Sequence, residues 1–209
     1  MNGAVATTYL ESTTGRQTVT VGEQTGPIAS KGVIGMACLI MAESAIFAIF
    51  VVAYLYYSGK DLSGPTPRQV LEWPILNSIC LLSSSATITL ALRSLRRGAT
   101  KRFSVWWFVT IALGAYFLLG TGREWQHLIH DKGLTIQTNL FGTTFYSLVG
   151  LHASHVVVGL LALSIVMAFA ITGLVKKEHA ERVHVLGLYW HFVDVVWIVV
   201  FTVVYVIGR

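Results

Sequence analysis

The residues able to do chemistry in this chain are few and lie in apolar surroundings. His152 and His155 stand three residues apart, as do His191 and Asp194, and Glu43 interrupts a run of Ile, Met, Ala and Phe. Three imidazoles and a carboxylate are in principle a ligand set for a transition metal, and paired buried histidines can hold haem. Helical metal sites of comparable spacing draw two further acids from adjoining helices, and Glu43 and Glu124 are the ones on offer here. No metal is therefore expected, and the polar residues read as interhelical hydrogen bonds that fix register. A proton-linked role or lipid head-group contact stands beside that reading, above all for Glu43, since an unpaired carboxylate at mid-membrane is expensive. Ser83, Ser84 and Ser85 lack the Gly-x-Ser-x-Gly frame of a nucleophile elbow, and they read as hydroxyls bonding back to carbonyls or across to neighbours. No catalytic residue is expected. Cys38 and Cys80 form no CxxC or Cys/His cluster and read as buried thiols.

The elements that position these residues follow from composition. The chain has 209 residues, 54% of them apolar and 12% charged, with a mean hydropathy of +0.66. A soluble domain carries about twice that share of charge, so an integral membrane protein is implied. Residues 1–31 form a polar, Thr- and Gly-rich arm without the basic-then-apolar order of a cleaved signal peptide, and they are expected to be flexible. Residues 32–209 then hold five apolar segments: 32–57, 73–92, 103–122, 141–175 and 185–207. The expected fold is an all-α bundle of five transmembrane helices.

In the first segment Gly35, Cys38, Ala42 and Ala45 line one face and suit a close helix contact, while Phe47, Phe50 and Tyr54 share the face of Glu43. The second opens with Pro74 in its first turn. The third ends in Arg123-Glu124-Trp125, a charged pair beside an aromatic that reads as an interfacial anchor, as do Trp106 and Trp107. On the fifth, Gly187, His191, Asp194, Ile198, Thr202 and Tyr205 make a stripe that must face protein, with His191 the nearest partner for Asp194. The basic loop Arg93, Arg96, Arg97, Lys101, Arg102 carries no acid. Ten Lys or Arg fall on its side of the membrane and five on the other, which predicts a cytoplasmic N-terminus and an outside C-terminus. Topology accounts for the net charge of +5, so no nucleic-acid partner is implied.

From the first segment to the C-terminus the chain resembles subunit III of the haem-copper respiratory oxidases. Tyr189-Trp190-His191-Phe192-Val193-Asp194-Val195-Val196-Trp197 agrees with that family's most distinctive run. Phe145-Tyr146 with Gly150-Leu151-His152-Ala153-Ser154-His155-Val156 is similar to its Gly-Phe-His-Gly-x-His-Val stretch. Glu43 falls at its mid-membrane glutamate, and Leu76-Asn77, Leu81 to Ser84 and Phe117-Leu118 through Glu124-Trp125 match further motifs. The departures are Thr121 for Gln, Val149 for Thr, Ala153 for Gly and Ala42 for Ser. Without the first two helices of the seven-helix form, the chain looks like the five-helix bacterial version.

The resemblance implies an inner-membrane subunit that carries no haem or copper of its own. It would pack on catalytic subunit I beside subunit II and a possible subunit IV, which together hold the haem and copper. It would also hold phospholipid in a cleft and support proton uptake and turnover stability. Glu43, His152, His155, His191 and Asp194 would hold the fold, line the lipid cleft or border an oxygen route. The cytochrome c branch is expected. A quinol-oxidase subunit III and a nitric oxide reductase accessory protein are the near alternatives, and a proton-coupled transporter using Glu43 and Asp194 is the alternative of another class.

Overall fold

The computed structural model describes residues 31–60, 67–71 and 73–208. The expected polar arm, Lys31 apart, and most of the break around Pro65 lie outside the described residues. The described chain forms α1 (Lys31–Tyr57), a single turn α2 (Pro67–Val70), α3 (Ile75–Arg96), α4 (Thr100–His130), α5 (Leu140–Ile171) and α6 (Ala180–Phe201). A 3-10 turn, Lys177–His179, leads into α6, and a π-helical turn, Thr202–Ile207, continues it. Five of these helical stretches are long and apolar enough to cross a membrane, as expected. Pro74 stands just before α3, where its missing N–H leaves no intrahelical bond unmade. Gly98, at φ +77°, turns the chain between α3 and α4 in a conformation that a side chain would strain. Asn139 caps α5 by accepting a 2.8 Å hydrogen bond from the Gly142 N–H.

Four helices close a ring: α3 packs on α4, α4 on α5, α5 on α6, and α6 returns to α3, while α1 lies outside against α5 and α6. Trp190 of α6 fills the middle of that ring and is fully buried. Its indole lies against Gly114 of α4 and Gly159 of α5; a Cβ on either would come within 2.8 and 2.9 Å of the ring. Its N–H donates to Ser84 Oγ of α3 at 2.7 Å. One side chain thus touches three other helices, and small residues opposite it let the backbones approach.

Several expectations need correction. The small-residue stripe of α1 packs against nothing among the described residues: Gly35, Cys38, Ala42 and Ala45 are all exposed, and α1 is held through Phe47 and Tyr54 on its opposite side. Cys38 is therefore an outward-facing thiol, not a buried one. α4 runs two turns past Gly122, so Arg123-Glu124-Trp125 lies within the helix. Trp107 is a core residue and not an anchor, fully buried and donating from Nε1 to the Leu163 carbonyl at 2.9 Å. On α6 the centre of the buried face is Trp190, Val193, Trp197, Val200 and Val204, roughly a third of a turn from the polar stripe. Ile198, half exposed, and Thr202 face outward in consequence. The Thr202 hydroxyl satisfies itself on the Ile198 carbonyl at 2.8 Å. Beyond it the wider π turn advances the chain through less rotation per residue and brings Tyr205 back inside.

A branched residue in place of Gly159 must displace the Trp190 ring, whereas Gly122 has open space beside it. Gly159→Val is expected to destabilise the bundle by about 1–3 kcal/mol and to deplete the subunit from purified membranes, with Gly122→Val retained. Quantitative immunoblotting of the membrane fraction reads the difference.

Candidate functional site

The five interior polar residues singled out in the sequence fall into three separate places. At the first, Glu43 of α1 meets His155 of α5, with Oε2 3.1 Å from Nε2. His155 Nδ1 lies 2.8 Å from the carbonyl of Leu151, which can only accept, so Nδ1 carries a proton. The contact between Nε2 and Oε2 then needs one further proton, held either by the carboxyl group or by the ring. Phe47, one turn along α1, covers the His155 ring at 5.0 Å between centroids. The Tyr189 hydroxyl of α6 donates to the His155 carbonyl at 3.2 Å, so the pair joins three helices.

At the second place His191 and Asp194 of α6 do not bond to one another; both meet Ser85 of α3. The Ser85 hydroxyl donates to Asp194 Oδ2, and its oxygen lies 2.8 Å from His191 Nδ1. Since Ser85 has a single proton and gives it to Asp194, Nδ1 of His191 is the donor in the second bond. His191 Nε2 is 3.4 Å from Thr89 Oγ1, which completes a row of four polar side chains across the α3–α6 contact. Serine, histidine and aspartate are adjacent here, yet their order is wrong for nucleophilic catalysis. The aspartate takes the serine proton that a triad histidine would have to remove.

His152 is alone in the third place. Fully buried, it stacks on Trp197 at 5.0 Å and 30° and meets the edge of Phe117 at 5.8 Å. The candidate ligand set is thus dispersed, and among the described residues no group of three or more His, Cys, Asp or Glu could hold a metal ion. Of the expected anchor, Arg123 is exposed. Glu124 accepts from the Tyr205 hydroxyl at 2.9 Å, and Trp125 turns toward α5 with its ring 5.4 Å from Tyr146. Between α1 and α6 runs an apolar groove of about 850 Å³, lined by Val33, Ile40, Phe47, Val195 and Val199, with Ser44 and His191 as its polar members.

Sequence reasoning missed Ser85 as the bridge, Thr89, and the Glu124–Tyr205 bond. The signal for Ser85 was present, because a hydroxyl between Ser84 and Ala86 in a membrane helix must bond to something. Its partner lay 106 and 109 residues away in sequence, beyond any local pattern.

A five-helix membrane bundle whose interior polar groups, His152 apart, are joined in cross-helix bonds is the class of protein that fold and geometry define. The comparisons place it further. The family described as cytochrome c oxidase subunit III matches residues 9–209. The cytochrome c oxidase subunit 3 of Synechocystis is 40% identical, the match covering 83% of this chain and 74% of that one. That of Alkalihalophilus pseudofirmus is 34% identical over 84% of this chain and 86% of its own. The cytochrome bo(3) ubiquinol oxidase subunit 3 of Pseudomonas aeruginosa is 35% identical over 84% and 85%. The chain belongs to the cytochrome c oxidase subunit III family of the haem-copper oxidases, and it is a multi-pass membrane subunit of an oxidase complex.

Ser85→Ala would remove a partner from buried Asp194 and from half-buried His191 at once, whereas Ser83, which is exposed, bonds only back to Ile79. Losses of about 1–3 kcal/mol for Ser85→Ala and within about 0.5 kcal/mol for Ser83→Ala are expected. Thermal dissociation of this subunit from the detergent-solubilised complex measures both.

Proposed function

We propose that this chain is the accessory subunit III of a cytochrome c oxidase in a bacterial inner membrane. It packs on the catalytic subunit I alongside subunit II, and oxygen reduction takes place on the haem and copper of those neighbours. The observation that carries this reading is the family membership, joined to an α1 whose outer face, small residues included, is left uncovered by the described residues. Small residues on a membrane helix suit close approach of another helix, and subunit I is the proposed occupant. The bias of basic residues supports a cytoplasmic N-terminus and an outside C-terminus. The apolar groove beside His191 has the size and lining for a phospholipid acyl chain.

Relatives of similar identity are named as cytochrome c and as quinol oxidase subunits, and the 40% relative favours the cytochrome c branch. In this account Glu43, His155, His191 and Asp194 keep the helices in register and sustain turnover, while Arg123, Glu124 and Trp125 mark the membrane interface.

The test is deletion. An oxidase purified without this chain should oxidise reduced cytochrome c with unchanged haem absorbance but inactivate after several-fold fewer turnovers, and re-expression should restore its lifetime. Altered haem absorbance, or an undiminished lifetime, would contradict the proposal. For Glu43→Gln, the new amide can donate to a bare His155 Nε2, so the variant subunit should remain in the purified complex. Its loss would mean that Glu43 and His155 form an ion pair that the amide cannot replace.

A further inference from the structure

Four side chains cross the α3–α6 contact in one row: Thr89, His191, Ser85 and Asp194. The charge they carry follows from counting their protons. The Thr89 hydroxyl gives its proton to the Ser85 carbonyl at 2.8 Å. It has only a lone pair left for His191, so the long 3.4 Å contact with Nε2 is a hydrogen bond only when Nε2 carries a proton. With Ser85 donating to Asp194, Nδ1 carries a proton as well. His191 is then an imidazolium and Asp194 a carboxylate, an ion pair with a hydroxyl between its members.

A second arrangement makes the same contacts. Asp194 Oδ2 holds a proton and donates it to Ser85 Oγ, and Ser85 turns its own proton to His191 Nδ1. Nε2 keeps its proton for Thr89, so the row is complete and uncharged. The two arrangements interconvert by one concerted shift. The His191 Nδ1–H bond breaks, leaving its electron pair on Nδ1, as Ser85 Oγ takes that proton. The Ser85 O–H bond breaks, leaving its pair on Oγ, as Asp194 Oδ2 takes the other. Imidazolium and carboxylate become imidazole and carboxylic acid, with no heavy atom moved and no proton drawn from outside. In neither arrangement does Asp194 orient His191, so the triad reading stays excluded.

The surroundings hold the row between the two forms. Asp194 is buried, and among the described residues no lysine or arginine pairs with it. Of the helices packed on α6, α1 brings Glu43 and α5 brings His155 and His152, each engaged elsewhere. α3 brings no charge before Arg93, and on α6 itself His184 stands about two turns back. Burial opposes the charged form, while attraction across a single hydroxyl and the hydrogen bonds to each ion oppose the neutral one.

We infer that His191 and Asp194 form a proton-transfer site in which Ser85 is the bridge and one proton passes between imidazole and carboxylate. His191 also lines the apolar groove between α1 and α6. The shift therefore decides whether the groove wall carries a cation.

The test is infrared difference spectroscopy of the intact oxidase complex between two temperatures at constant pH. The carbonyl stretch of a protonated Asp194 should rise as the imidazolium absorption of His191 falls, reversibly and in step. Asp194→Asn identifies the carboxyl band by removing it, and Asp194→Glu, which keeps the acid, does so by moving it. Ser85→Thr keeps a bridging hydroxyl and should retain the paired change, whereas Ser85→Ala should lose it. A carboxyl band that is absent or constant, or an imidazolium band that changes without it, overturns the inference. So does a paired change that survives in Ser85→Ala. Should Ser85→Ala leave the complex, the wild-type and Ser85→Thr spectra decide alone.

Discussion

The position of the Trp190 indole is the constraint on which the bundle depends. The hydrophobic effect does not drive helices together in lipid, so association rests on close packing and on polar groups that find no partner in hydrocarbon. Trp190 supplies both. Gly114 and Gly159 admit its ring between α4 and α5, and Ser84 accepts its N–H from α3. With that ring in place α6 has a fixed rotation. Asp194, one turn on, then meets Ser85, and Trp197, nearly two turns on, stacks on His152. The polar contacts are consequences of one packed aromatic as much as causes of the fold.

The same geometry explains why three interior histidines and two interior acids, of which His152 and Asp194 are buried and the others partly so, assemble no ligand set among the described residues. The polar side chains are drawn to separate places: Glu43 to His155 across α1 and α5, and Asp194 and His191 together to Ser85 across α3 and α6. Every such bond joins two helices. In a membrane subunit of an oxidase complex, these cross-links set register along the bundle. α1 is the exception, attached mainly through Phe47, Tyr54 and Glu43 and leaving most of its apolar surface for a neighbour or for lipid.

How much was legible in the sequence differed by element. The five spans were visible because apolar length alone specifies them, and the run from Tyr189 to Trp197 pointed to the family. Helix ends were less so. α4 continues through Arg123 and Glu124 because these are good helix formers, and a pattern that follows hydropathy stops where charge begins. The rotation of each helix was hardest to read. A stripe from Gly187 to Tyr205 is uniform on an ideal helical wheel, but Trp190 claims the centre of the buried face and the π turn at Thr202 shifts the register. The α1 stripe misled for a related reason: small residues mark a close contact without saying whether its partner is in the same chain. Ser85 was one of three consecutive serines, and only the fold distinguishes the one that bridges α6 from those that bond within their own helix or to Trp190.

The central claim is that this bundle serves an oxidase through its shape and its cross-links, beside a catalytic subunit that holds the redox centres. Purifying the tagged chain from native membranes in mild detergent, with mass spectrometry and an absorbance spectrum of the eluate, tests it most directly. The account predicts co-elution with a haem-copper catalytic subunit and haem absorbance that stays with that partner when this chain is stripped away. A chain that elutes alone, or that retains haem or metal by itself, would contradict it.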